Sequence, residues 1–496
     1  MRGILCIYNL LYEKIIVAYA TIIGYNILVA YATNIYLRRK HMINQNQNIL
    51  GTDRIGRLLF KFSIPAIIGM VINMLYNVVD RIYIGQIPNV GGLAITGVGI
   101  TMPITSIITG IGMLIGIGTS ASISLSFGSN NHQKSQKILN NGFLLIIFAS
   151  LSVAILGNIF AKPIVTLFGG SDKTIPYAVQ YLRPLMFGTI CNLIAFGLNH
   201  SISSDGSPNI GMFTMIIGAV INIILDPIFI FVLNLGIRGA AYATVLSQLV
   251  ASIWVIYYFT KSKKSSIKIR KFDLKFDTHI IKGILTIGMA PFCMQLAGSL
   301  VQVVANKSLL AHGGDMAIGA MAVITSICTI YIMPIFGLNQ GAQPIIGYNY
   351  GAKKYDRVKK TYLLGLMWST IILTVSFFII QIFPKVAISM FNNDEELTKI
   401  ALDGIKVYLF SMPIIGIQMA TSNYFQSVGK PKKAMFIGLT RQVLFLVPAF
   451  LIFSRLWGLQ GIWFAAPIAD TLAVLVSSYA IIKEFKYLNM EKINDK

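Results

Sequence analysis

GTSASISLSFG (118–128) and GAQPIIGYNYG (341–351) each close a long apolar stretch, and they stand 223 residues apart. Gly206 and Pro208 are matched by Gly429 and Pro431 at the same separation, and Gly236 and Gly239 by Gly458 and Gly461 at 222. Upstream, Pro65 and Pro291 open one apolar run in each half, and fifteen residues after each proline come Asp80 and Asn306. Landmarks that keep one offset over most of a chain are the mark of a duplicated bundle. Duplicated bundles commonly surround a central transport site.

Composition identifies the duplicated unit. The chain has 496 residues, of which 55% are hydrophobic and 12% charged, with a mean hydropathy of +0.70. No soluble core hides that much apolar surface, so lipid is its solvent. Apolar stretches long enough to cross about 30 Å of hydrocarbon at about 1.5 Å per residue fall near 62–84, 93–118, 141–161, 180–202, 209–233 and 239–259. The second half repeats them near 281–305, 317–340, 361–383, 404–426, 434–454 and 459–482. The expected fold is an all-α integral membrane protein with twelve core helices in two pseudo-symmetric six-helix lobes, 42–260 and 283–496, joined by a basic linker at 261–282. Sharing one topology, the halves are parallel repeats about an axis along the membrane normal.

A formal net charge of +23 raises the question of nucleic acid, yet Lys and Arg occupy alternate short loops and no aromatic-interleaved basic domain exists. Lys261, Lys263, Lys264, Lys268, Arg270, Lys271, Lys275 and Lys282 crowd the linker; Lys353, Lys354, Arg357, Lys359 and Lys360 crowd a later loop; Lys430, Lys432 and Lys433 a third. All lie on one face under the twelve-span assignment. The positive-inside rule makes that face, and both termini of the core, cytoplasmic in a bacterial cytoplasmic membrane. Cys6, Cys191, Cys293 and Cys328 show no paired spacing and read as apolar fillers. The five histidines form no cluster with metal-ligand spacing, so neither cofactor nor structural metal is expected. Residues 1–41 include an apolar run at 15–36 ending in Arg38, Arg39 and Lys40. They read as an additional helix or as a mis-assigned start, because a polar stretch begins at Met42.

Ionisable groups inside spans are expensive, which makes each a functional candidate. Asp80 lies about 30 Å along the first span and Asp226 about 25 Å along the fifth, both in the outer half. Asn222 shares the helical face of Asp226, four residues earlier, and Thr244 sits at a matching depth in the sixth span. Two carboxyls, an amide oxygen and a hydroxyl are hard ligands suited to sodium. Desolvation and mutual repulsion equally favour holding a proton there. Pro227 is expected to disturb the helix directly after Asp226. The second half has Asn306 in place of Asp80 and no carboxyl near Val447 or Pro448, so ion coupling is expected in the first lobe alone. Asp470 either attracts a cationic substrate or pairs with Arg441; Gln295, Asn306, Gln340, Arg441 and Asp470 are the candidate contacts of a substrate cleft. Gly110, Gly112, Gly116 and Gly118 read as a helix-packing run.

NMLYNVVDRIYIG (73–85), LAITGVGITMPI (93–104), VINIILDPIFI (220–230) and QPIIGYNYGA (343–352) together resemble the MATE (multidrug and toxic compound extrusion) family, in particular its bacterial MepA-like group, over 42 to about 486. The resemblance implies two six-helix lobes around a V-shaped cleft with alternating access. It implies export of lipophilic cationic drugs and dyes against entry of H+ or Na+, with the cation site at Asp80, Asn222, Asp226 and Thr244. One departure stands out. The family usually has an arginine before the Asp-Gly-Ser-Pro turn, where this chain has His200 and small residues up to Asp205. The expected partners are the bilayer and small cationic substrates, and the protein is expected to be a monomer without catalytic residues. The alternative is a flippase for lipid-linked precursors from the same superfamily, which should carry cations within its cleft-lining spans. An enzyme would need a constellation such as His200 with Asp205.

Overall fold

A computed structural model describes residues 49–87, 91–169, 171–269, 275–389 and 395–494. The features expected of 1–41 lie outside these residues. The chain divides into Met1–Thr52 and Asp53–Lys496, and the membrane-spanning helices all belong to the second unit.

Nearly everything described is helix, as hydrocarbon demands, since an unpaired backbone N–H or C=O has no water to bond there. In chain order the spanning helices are α1 (Ile55–Gly85), α2 (Gly91–Gly128), α3 (His132–Ile159), α4 (Ile175–Ser204), α5 (Pro208–Val232), α6 (Ile237–Thr260), α7 (Thr278–Gly314), α8 (Met316–Gly351) and α9 (Tyr355–Ile382). α10 is a pair, Glu395–Tyr408 and Met412–Ser427, bent by 59°. The last helix, Pro431–Glu491, has 61 residues, about 90 Å at the α-helical rise and three times what a bilayer needs. It is two spans, α11 and α12, separated at Gly458, where φ is 57° and the chain reverses. The described residues thus make twelve crossings.

Two expectations need adjustment. The helices outrun the apolar windows on the lysine-rich side, α2 to Gly128 instead of 118 and α8 to Gly351 instead of 340, because hydropathy registers only the part in lipid. The tenth span is not continuous. Pro413 offers no N–H to the carbonyl of Leu409 four residues back, and the helix breaks at 409–411.

The duplication is visible in backbone dihedrals. Asn130 (φ 57°) matches Lys353 (54°), Gly206 (86°) matches Gly429 (72°), and Gly236 (54°) matches Gly458 (57°). The turns around them repeat as well: the Asn131 N–H donates to Ser126 O and that of Lys354 to Asn349 O, while Ser207 donates to Ile202 O and Lys430 to Phe425 O. Short helices Ala161–Leu167 and Pro384–Ser389 also correspond. Each lobe has its own core, one built around Ile123, Leu139, Leu182 and Phe259, the other around Ile324, Leu373, Phe450 and Trp463.

Between lobes the backbones nearly touch. A Cβ added to Gly128 of α2 would strike Tyr348 O of α8, and one added to Gly351 of α8 would strike Leu125 O of α2. Since 125 and 348 differ by the repeat offset, these contacts are mates across a pseudo-twofold axis at the α2–α8 crossing. The expected packing role of Gly118 is likewise met, against Ile284 O of α7. Ser63 Oγ donates to Leu338 O at 3.3 Å, Phe60 meets Trp368 edge-on at 5.2 Å, and the Arg357 guanidinium donates to Asp53 O at 2.7 Å. All these ties belong to the half bearing the lysine-rich loops. Gly351→Val should therefore force α2 and α8 apart at a cost of about 1–3 kcal/mol, read as a lower thermal midpoint in detergent. An unchanged midpoint would mean that the seam yields freely.

Candidate functional site

Asp80, Asn222, Asp226 and Thr244 come from three helices, α1, α5 and α6, which pack together at their ends away from the lysine-rich loops. All four side chains are buried, Asn222 and Asp226 completely. Asn222 Nδ2 donates to Asp226 Oδ1 at 3.1 Å and approaches Thr244 Oγ1 at 3.4 Å. Thr244 donates in turn to Ala240 O at 3.0 Å, fixing its oxygen toward the amide. Asp80 faces Asp226 and the hydroxyl of Tyr181, and Tyr76 also borders the two carboxyls. Arg81 bears on Asp80 from an exposed position.

After these bonds, Asp80 Oδ1, Asn222 Oδ1 and Asp226 Oδ2 remain buried without a hydrogen-bond partner. Buried oxygens are almost always satisfied, and two carboxyls cannot share a dry pocket as unshielded anions. Chemically, such a set of oxygens suits a proton or a small cation with oxygen ligands. Pro227 does not interrupt the helix here. It keeps helical dihedrals, and the chain widens into a π-helical turn over Ile228–Val232 directly beyond it. Such turns are inserted residues that re-aim neighbouring side chains. Tyr181 is the residue that sequence reasoning passed over. A lone tyrosine in an apolar span carries no signal until α4 is seen against α1.

The second lobe is polar at its centre by a different device. Asp470 in α12 accepts from Arg441 Nε at 2.5 Å and from Ser411 Oγ at 2.5 Å. Arg441 sits in the π-helical stretch Thr440–Leu446 of α11, and Ser411 at the break in α10. Both carboxyl oxygens are engaged. Of the two readings left open for Asp470, the structure contains the pair with Arg441. The other cleft candidates do not join it: Asn306 accepts from Gln302 Nε2 at 3.0 Å, Gln295 lies beside Gly110 at the lobe seam, and buried Gln340 Oε1 has no partner.

His200 and Asp205 form no constellation. His200 packs edge-on against Phe196 at 5.4 Å, and its ring nitrogens are unpartnered. Asp205 accepts from Tyr258 Oη at 2.8 Å and from the Ser266 N–H at 3.0 Å, tying the linker to the turn after α4. Burial pushes its carboxyl up to about 7, while the bonds from Tyr258 and Ser266 pull the other way. Among the described residues no three His, Cys, Asp or Glu side chains gather to hold a metal.

Removing the charge of Asp470 leaves half-buried Arg441 without its counter-ion. Asp470→Asn should destabilise the protein by about 1–3 kcal/mol, seen as a drop in thermal midpoint. The double change Asp470→Asn with Arg441→Met should recover most of it, and no recovery would show that the pair is not the cause.

Comparison with known proteins agrees with this architecture. The MatE family model matches the chain twice, over 65–228 and 291–451, one match in each lobe. The chain is 25% identical over 438 residues to "Multidrug export protein MepA" of Staphylococcus haemolyticus (strain JCSC1435), covering 88% of this chain and 96% of that protein. It is 26% identical over 424 residues to the protein of the same name from Staphylococcus aureus (strain MSSA476), covering 85% and 92%. Among solved structures, the "outward-facing conformation of a multidrug resistance MATE family transporter of the MOP superfamily" aligns with a TM-score of 0.84 at 23% identity, over 89% of this chain and 98% of that one, a likeness of fold. With two copies of the family's unit in two lobes of one topology, the chain belongs to the MATE family.

Proposed function

We propose that the chain is a multidrug efflux antiporter that moves lipophilic cationic drugs and dyes out across the bacterial cytoplasmic membrane in exchange for H+ or Na+. The observation that carries this reading is the set of three unpartnered buried oxygens on Asp80, Asn222 and Asp226. A coupling ion that binds there when the pocket faces outside and leaves when it faces inside transmits its gradient to the lobes. Each ion state has its own preferred packing of α1 against α5 and α6, which is the differential affinity that any coupled change requires. The lysine-rich face is cytoplasmic on the positive-inside argument. The interlobe ties on that face support a state closed toward the cytoplasm. On this reading the protein works as a monomer and needs no cofactor beyond its coupling ion.

The name of the staphylococcal relatives, multidrug export protein, supports a drug cargo. Charge supports cationic cargo over a pyrophosphate-linked lipid: Arg441, a half-buried arginine of the second lobe, is already paired with buried Asp470. Gln295, Asn306 and Gln340 remain the proposed polar contacts of the cleft.

Ethidium efflux from cells or inverted vesicles, with proton and sodium gradients imposed separately, tests this. Asp226→Asn should bring gradient-driven efflux down to the level of empty vesicles while the protein remains folded in the membrane. Wild-type transport by that variant would end the claim that Asp226 couples. Asn306→Asp should leave the ion-to-drug stoichiometry unchanged, because Leu444, Pro448 and Ala466 replace the remaining ligands in the second lobe. A higher stoichiometry would count against coupling confined to one lobe.

A further inference from the structure

On the lysine-rich face, the first turns of α7 and α11 leave a groove of about 420 Å³ between them. Its walls are mostly apolar, formed by Ile281, Leu285 and Met289 of α7 and Met435 of α11, and exposed Lys282 and Lys432 also line it. The volume falls within the range of about 300–1,000 Å³ usual for bound small ligands. Neither lysine has a carboxylate partner among the described residues. Their neighbours are occupied: Lys430 and Lys433 both bind buried Glu484, the latter at 2.8 Å. Asp277, the acidic side chain at this end of α7, is turned into its own helix as a cap, accepting from the His279 N–H at 3.1 Å and the Ile280 N–H at 3.3 Å. Thr286 likewise donates to Lys282 O at 2.6 Å. An apolar slot is left exposed on the lysine-rich face, with two ammonium groups in its lining that have no carboxylate partner among the described residues.

We infer that this groove is a binding site for an anionic phospholipid, one acyl chain lying along Ile281, Leu285, Met289 and Met435 and the phosphate meeting Lys282 and Lys432. A cationic drug is repelled at the mouth. A zwitterionic lipid gains the slot but loses net attraction to two positive charges, since a lysine near the membrane surface discriminates by net charge. The bound chain would also brace α7 where it forms the seam between lobes: Gly288, next to Met289, packs so closely on Leu114 O of α2 that a Cβ there would collide with it. The lipid thus acts as a wedge supporting the closed side of the transporter. Lipid binding here rests on the transporter reading only in that this face borders a leaflet. Its test reads binding without transport, so failed drug export would leave it standing.

The test is native mass spectrometry of the full chain in detergent, titrated with phosphatidylglycerol or with phosphatidylcholine of identical acyl chains. The expected result is one retained phosphatidylglycerol, preferred on the order of 10- to 30-fold, from two lysines near the phosphate. Lys282→Gln with Lys432→Gln should reduce the preference to within about twofold. Lys263→Gln with Lys264→Gln, the same loss of charge in the linker, should leave it intact. Met435→Trp, which fills the slot and keeps both lysines, should abolish retention of either lipid at this site. Equal retention of the two lipids by wild type, equal losses in the two lysine pairs, or full displacement by free glycerol phosphate at matched concentration would each overturn the assignment.

Discussion

Two backbones pressed together hold this molecule in its present form. At the crossing of α2 and α8, Gly128 and Gly351 let each helix lie against a carbonyl of the other, and the pair is related by the repeat that generated the chain. Inside a bilayer apolar side chains gain little from leaving lipid for one another, so helix association depends on close van der Waals approach, which only small residues permit. A seam of this kind is strong in one geometry and has no graded alternative. That suits a machine whose lobes must either meet or part on a given side.

Around the seam the lobes are equal in topology and unequal in electrostatics. The second lobe neutralises its central charge internally: Asp470 is matched by Arg441 and Ser411, and nothing is left for a mobile ion to satisfy. The first lobe leaves its charge open. Asp80 and Asp226 share a buried pocket with an amide and a hydroxyl, and oxygens of three residues have no hydrogen-bond donor. Duplicating a bundle doubles every site at first. In the two copies the polar centres now differ, an open set of oxygens in one and a closed ion pair in the other.

The same divergence appears at the lysine-rich ends. In each half the turn after the fourth span is tied to the chain leaving the sixth, by Asp205 to Tyr258 and Ser266 in one, by Lys430 and Lys433 to Glu484 in the other. The geometry is shared between halves while the sign at the turn is reversed. Consequently the linker is held by an acid and the terminal helix by bases. This division leaves Lys432 unengaged beside the slot between α7 and α11.

By itself the sequence determined the solvent, the number of crossings, the duplication and the positions of Asp80, Asn222, Asp226 and Thr244 along their helices. Each of those is a property of hydropathy or of spacing along one helix, and both survive without knowing which helices touch. The break at Ser411 was hidden, because a hydropathy window averages over the bend at Pro413. So was the choice between drug contact and ion pair for Asp470, since it depends on the side on which a π-helical stretch of α11 presents Arg441. Tyr181 reached Asp80, and Asp205 reached the linker, only through packing between elements far apart in the chain. Those contacts were decided by the tertiary structure because proximity across helices is set by backbone approach, which no single span encodes.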